Sequence, residues 1–384
     1  MKHLRILLLV LIATQFAFGQ KRKAYNIKIN WLTVEPFDIK ERDFHIVNVK
    51  DETGIENAVY GKVMRGGPKR KIDVGFEQGL SRTVNNYMTF IKMTRPLSDT
   101  SVATTLVIKR LSVQEKYERR LQVGTMILQL EFYNPNGKML YASVVKKQSL
   151  GSEVTVKHQK LLQMCLRESI TLYRYVKKDQ TFQYNLSEMK IIKESPQKGI
   201  YGSFLELVCN KPMFDYEFEI LRYDEEQSGS EDGFPKFVIN EDSLSGLNHA
   251  LRSAFYGFCD GENIYIRERA DGYDFGYVEF LPKHRYALFV GHERVYNVDA
   301  IVIGGALGGL VGGVIAGAAT YQPKQHVFLL DLATSEEFLW SEFNLEKLMK
   351  NYPDFYAEFD KAYDSNTQTK EYWLEQYNLY LEKN

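Results

Sequence analysis

The sequence predicts an α+β protein: two small antiparallel-sheet-plus-helix domains, an inserted Gly-rich helical segment and a C-terminal helical tail. Three observations carry this prediction. Apolar residues recur at helical spacing in some stretches and alternate in others. Asn-Gly and Asp-Gly pairs punctuate the alternating runs. Residues 300–319 run without a charge and contain seven glycines. A chain of 384 residues exceeds what one ordinary core holds, so two or three domains are expected. The divisions fall at 1–19, 24–182, 199–299, 300–319 and 321–384.

The first division reads as a signal peptide. Lys2, His3 and Arg5 precede the apolar run Ile6 to Ala13, and Ala17-Phe18-Gly19 places small residues for cleavage before Gln20. The apolar run is too short to span a bilayer. With no cysteine near this point, a lipoprotein anchor is not expected. Of the three cysteines, Cys165 falls on the apolar face of a helix. Both a Cys209–Cys259 bridge and three core thiols stay open for an exported chain. The 49 basic and 49 acidic residues balance, which removes the field that would draw the chain to nucleic acid.

Within 24–182, Phe76, Leu80, Val84, Tyr87 and Ile91 have helical spacing, and Leu106 to Ile108 begin a strand. Thr125 to Phe132 and Lys138 to Val145 form a hairpin around Asn134-Pro135-Asn136-Gly137, since Asn-Gly tolerates positive φ. His158, Leu162, Cys165, Ser169 and Leu172 mark a helix that covers one sheet face. This order of helix, meander and terminal helix resembles the layout of small bacterial envelope lipoprotein domains. The basic run Arg65 to Lys71 reads as a solvated turn.

Within 199–299, Ser203 and Glu206 have capping-box spacing for a short helix that stops before Pro212. Asp215 to Tyr223 reads as a strand. The acidic stretch Asp224 to Gly233 reads as a loop, because its carboxylates do not alternate as a calcium loop requires. A meander follows, from Ala254 to Val290, with turns at Asp260-Gly261 and Asp271-Gly272. Beyond the glycines, His326 to Leu332 is strand-like. Two aromatic-striped helices close the chain, one opened by Pro353 and one over Lys370 to Leu381. The segments Lys198 to Phe204 and Gly257 to Ile266, the glycine stripe and the ending with Glu375-Gln376-Tyr377-Asn378 resemble exported proteins of Bacteroidota that have no assigned activity. The resemblance implies an envelope setting and transfers no catalytic residue.

The candidate site is the stripe itself. As a helix, Gly304, Gly308 and Gly312 stack in one row, and Gly305, Gly309, Gly313 and Gly317 in the next. The rows merge into a side-chain-free groove that another helix could approach. The partner is therefore a membrane or a helix, and a homo-oligomer is left open. Twenty residues would reach about 30 Å as a helix, yet seven glycines each cost about 1 kcal/mol of propensity. A simple crossing would also place a tail with six lysines, no arginine and twelve acidic residues in the cytoplasm, against the positive-inside bias. A packed helix, a re-entrant hairpin and a buried soluble element all remain. The flanking strands, Tyr286 to Val290 and His326 to Leu332, could pair and present the stripe as an excursion from a sheet.

Catalytic patterns are sparse. The seven histidines form no His-Glu-x-x-His pair, no Gly-x-Ser-x-Gly elbow precedes a helix, and the glycines lack the ending of a phosphate loop. No cofactor or metal is expected. The reading is an exported envelope protein, periplasmic or outer-membrane-associated, with a non-catalytic structural, binding or assembly role. Two alternatives stand beside it. One is an exported hydrolase whose site gathers Cys259, Asp260, His284 and His292; the other is a self-assembling, membrane-perturbing protein.

Overall fold

The structure, a computed structural model, describes residues 25–27, 37, 42–64, 70–118, 121–151, 154–176, 181–186, 188–215, 217–223, 236–240, 244, 247, 249–270, 273–296, 321–341, 343–363 and 368–383. It is α+β, with three sheets. The first holds β1 (Tyr25–Asn26), β2 (Phe44–Asp51), β3 (Gly61–Met64), β4 (Lys71–Gly75), β5 (Val102–Glu118), β6 (Leu121–Tyr133) and β7 (Met139–Gly151). The β6–β7 hairpin turns where expected. Asn134 accepts from the Gly137 N–H at 3.0 Å through its carbonyl, and its side chain accepts from Asn136 and Lys138 N–H groups. Gly137 takes the positive φ of 74°.

The sheet departs from the antiparallel expectation along one edge of β5. There β2 and then β3 pair parallel to β5, one after the other, with a register shift in β2 between Ile46 and Asn48; on the other edge, the pairing with β6 shifts between Ile108 and Arg110. Parallel pairing needs a long return path, and the chain supplies one by building β3, β4 and α1 (Leu80–Phe90) between β2 and β5. At the junction the backbones approach so closely that a Cβ on Gly61 would sit 1.8 Å from the Val113 carbonyl oxygen.

The helix α2 (His158–Arg174) buries all five residues of its forecast stripe. Tyr173 stacks on Phe132 at 4.2 Å and meets Phe44 edge-on at 4.6 Å, while its hydroxyl bonds Thr104 at 3.0 Å. Ser169 accepts a bond from Ser143 of β7 at 2.9 Å. At the start of α2, His158 Nε2 lies 2.8 Å from Glu115, which also accepts from the Met64 N–H; both side chains are fully buried.

The second sheet has the order β8 (Gly199–Tyr201), β11 (Gly257–Cys259), β12 (Ile264–Ala270), β13 (Tyr273–Phe280), β10 (Lys236–Ile239) and β9 (Ile220–Tyr223), all antiparallel. Strand β9 is shorter than the run from Asp215 predicts. Phe214 bridges to Ile200 at the sheet's opposite end, and pairing with β10 starts only at Ile220. Three short helices accompany this sheet: α3 (Lys190–Lys193), α4 (Phe204–Val208) and α5 (His249–Arg252). Helix α4 starts with the full capping box of Ser203 and Glu206.

The third sheet is β14 (Tyr286–Tyr296), β15 (Tyr321–Asp331) and β16 (Glu336–Leu339), followed by α6 (Leu345–Met349), α7 (Pro353–Tyr363) and α8 (Lys370–Lys383). Packing joins what the sequence divides. One core cluster combines α1, α2 and the first sheet with Ile200, Phe258, Tyr265 and Tyr277 of the second and with Phe255 just before β11. Another sets Ile127, Ala142 and Val144 on the other face of the first sheet against Phe204, Leu205 and Leu330. A third is largely aromatic and binds α6–α8 to β14 and β15.

Candidate functional site

The glycine stripe leaves from the third sheet. Strands β14 and β15 pair antiparallel without a break from Tyr286↔Asp331 to Tyr296↔Tyr321. Their pairing is the excursion geometry anticipated for these flanks. Residues 297–320 therefore depart from and return to one residue pair, at the end of the ribbon about 34 Å from its base. Gly304, Gly305, Gly308, Gly309, Gly312, Gly313 and Gly317 lie outside the described residues, as do residues 1–19 and the acidic stretch 224–233.

The base of the ribbon is fixed by polar chemistry. Asp331, 5% exposed, receives Arg285 through both oxygens, at 3.1 and 3.3 Å, and also the Ala333 N–H and the Thr334 hydroxyl. Successive residues of an antiparallel strand point their N–H and C=O groups to opposite edges. Tyr286 directs its pair away from β15, to the Asn378 side chain of α8. The Asn378 carbonyl accepts from Tyr286 N at 3.0 Å, and its amide donates to Tyr286 O at 3.0 Å. One side-chain amide thus takes the place of a further strand. Tyr377 stacks on the Tyr286 ring at 5.9 Å, and His284 lies 2.9 Å from Glu382 and 3.9 Å from Glu375. The ending Glu375-Gln376-Tyr377-Asn378 is in this way a docking element.

Three residues of the hydrolase alternative, Cys259, Asp260 and His284, have other partners. Asp260 accepts the Glu262 and Asn263 N–H groups at 2.8 and 2.7 Å, closing the turn between β11 and β12. Burial opposes its charge, but those N–H groups outweigh it and hold the carboxyl below its ordinary range. Cys259 is buried, accepts the Gly261 N–H at 3.3 Å, and burial raises its thiol. No hydrogen bond or ion pair joins His284 to either residue among the described residues, and the His292 side chain lies outside them. Cys165, Cys209 and Cys259 are all free and buried.

The other segments of the resemblance also have structural roles. Gly199 has φ 143° and packs where a Cβ would be 2.6 Å from the Phe214 carbonyl oxygen; a Cβ on Gly257 would be 2.5 Å from that of Tyr265. Sequence reading also missed buried carboxylates, among them Glu115 and Glu131. Glu115 ties β5 to α2 and β3, and Glu131 accepts the Tyr133 hydroxyl at 2.6 Å and that of Tyr184. Polar residues in alternating runs gave no signal that distinguishes these two from solvated positions.

Among the described residues no group of three or more His, Cys, Asp or Glu side chains could hold a metal ion, and no helix is long and apolar enough to cross a membrane. No curated protein matches the chain. Residues 199–383 match the model of a family of unknown function, DUF6563, a span that begins at β8 and includes the second and third sheets and α8.

Proposed function

We propose that this chain is an exported envelope protein, periplasmic or outer-membrane-associated, with a non-catalytic structural, binding or assembly role. It engages a membrane, a partner helix or a second copy of itself through the glycine-rich segment Gly304 to Gly317. The observation that carries this reading is the pairing of Tyr296 with Tyr321. It holds both ends of a glycine-rich stretch, uncharged from Ala300 to Ala319, at one tip of a ribbon whose base is clamped by Asp331 and Asn378. Entry and exit are then on the same side of whatever surface the segment meets. A single crossing that separates residues 286–296 from 321–331 is incompatible with that pairing. The export signal at 1–19 and the likeness to exported proteins of Bacteroidota with a glycine zipper support the setting.

The geometry also supplies a clean test. Because Val295 faces Gln322, residues 296–321 can be replaced by Asn-Gly, a two-residue hairpin turn, with the rest of the ribbon retained. The intact chain is expected in the membrane fraction of expressing cells, and the shortened chain in the soluble fraction with an unchanged circular dichroism spectrum. Gly308→Leu with Gly309→Leu should reduce membrane recovery without changing length. Equal distribution of all three proteins would reject the role assigned to the segment.

A further inference from the structure

One buried acid sits on the seam between the N-terminal half and the segment that matches the family. Glu206, in the first turn of α4, is 3% exposed. Its Oε2 accepts the Gly202 N–H at 2.5 Å and the Ser203 N–H at 3.0 Å. Across the seam stands Tyr141 of β7, 1% exposed, whose buried hydroxyl faces Glu206 and Ser203 and has no formed hydrogen bond. Leu172 of α2 closes the space, since a Cβ on Gly202 would be 2.9 Å from its Cδ2 and 3.1 Å from Glu206 Oε2. Among the described residues, Tyr201 of β8 also feels this carboxyl, and Glu168 of α2 acts on the Tyr141 hydroxyl. Tyr201 donates to the Gln197 carbonyl oxygen, and Glu168 is paired with Lys147 of β7. No cation faces the Glu206 carboxyl among the described residues.

We propose that Glu206 is a proton-operated clamp: as a neutral acid it secures α4 against β7 and α2, and its ionisation loosens that seam. The protonated carboxyl keeps one oxygen for the two N–H groups and gives the other a hydrogen to direct at the Tyr141 hydroxyl. Ionised, it is a buried charge with no counterion, set beside Leu172, Met213 and the Tyr141 ring. Burial pushes this carboxyl up to about 8, against the lowering effect of the Ser203 and Gly202 N–H groups and the Tyr141 hydroxyl. The clamp therefore holds below that range and weakens as pH rises toward it.

Amide hydrogen exchange of the full-length protein, corrected for the intrinsic pH dependence of exchange, tests the clamp on peptides covering 139–145 and 199–210. An opening that hydrates Glu206 takes up one fewer proton in the open state, so protection should fall about 50-fold between pH 6 and pH 8. In Glu206→Gln, which keeps an acceptor for both N–H groups, protection of these peptides should be independent of pH. Peptides covering 286–291 and 326–331 should be independent of pH in both proteins. Flat protection at the seam of the wild type, a slope that persists in Glu206→Gln, or an equal slope in every peptide would each overturn the proposal.

Discussion

Replacing Asn378 with Ala should undock the C-terminal helix, and the expected size of the effect comes from two hydrogen bonds. The Asn378 amide is 2% exposed and satisfies both the N–H and the C=O of Tyr286, itself 6% exposed. Alanine leaves both backbone groups buried and unpaired at about 1–3 kcal/mol each, so a loss of about 3 kcal/mol is expected. That is a reduction of about 150-fold in the folded-to-unfolded ratio. Urea unfolding followed by tryptophan fluorescence is a suitable assay, because Trp340 and Trp373 both belong to the aromatic cluster around α8. With a slope of about 2–3 kcal/mol/M the midpoint should fall by about 1 M. Asn378→Asp keeps the acceptor for Tyr286 N but has no donor for Tyr286 O, so its loss should be intermediate. His284→Ala removes contacts to Glu375 and Glu382, which are 64% and 45% exposed, and should cost less than about 1 kcal/mol. If Asn378→Ala falls within 0.5 kcal/mol of wild type by this order-of-magnitude scale, or His284→Ala costs more than it does, the amide is not what holds the helix.

Three further substitutions or titrations test other parts of the structure. Gly61→Ala should be among the most damaging single changes, because φ is 152° and the new Cβ would be 1.8 Å from the Val113 oxygen; an unfolding midpoint equal to wild type would refute the close approach of β3 to β5. The lowered carboxyl of Asp260 contributes stability above its unfolded-state range and loses that contribution as pH falls through its folded-state range. Asp260→Ala should therefore lower the urea midpoint near neutral pH and show a smaller further loss in acid than wild type, whereas parallel acid profiles would contradict the turn's role. Thiol titration without reductant should find Cys165, Cys209 and Cys259 unreactive in the native protein and all three reactive in denaturant; a single reactive thiol would mean a disulfide.

How much of this was legible in the sequence depends on how far apart the interacting residues are. The Asn134–Gly137 turn, the Ser203–Glu206 box and the stripe of α2 were readable because each is decided within a few residues, by φ preference, by a side chain reaching its own helix, or by the period of burial. The tandem placement of β2 and β3 on β5 was not readable. Nothing local distinguishes a strand that will pair parallel through a distant return from one that closes a hairpin, and the bulge at Ile108–Arg110 has no sequence mark. The contact of Asn378 with Tyr286 spans 92 positions and was visible only as an unexplained similarity in the ending.

That last case bears on what the similarity of residues 199–383 means. Gly199 and Gly257 lie where a Cβ would strike backbone, Asp260 closes a turn with two N–H groups, and Asn378 completes the edge of β14. Each is the kind of position where a side chain is fixed by the path of the main chain, so each can be kept by a fold without any shared chemistry. The residues that would differ in a protein with another partner are then those released from such duties. In the third sheet the ribbon's base is bound by Arg285, Asp331 and Asn378, while its far end carries a long glycine-rich insertion, with Asp299 as its one charge, between two paired tyrosines. A sheet that is anchored at one end and interrupted at the other concentrates its freedom to change at the tip, which is where loops that carry function are commonly found. The role proposed for residues 297–320 rests on this division of labour along β14 and β15, and not on the aromatic cluster at the ribbon's base.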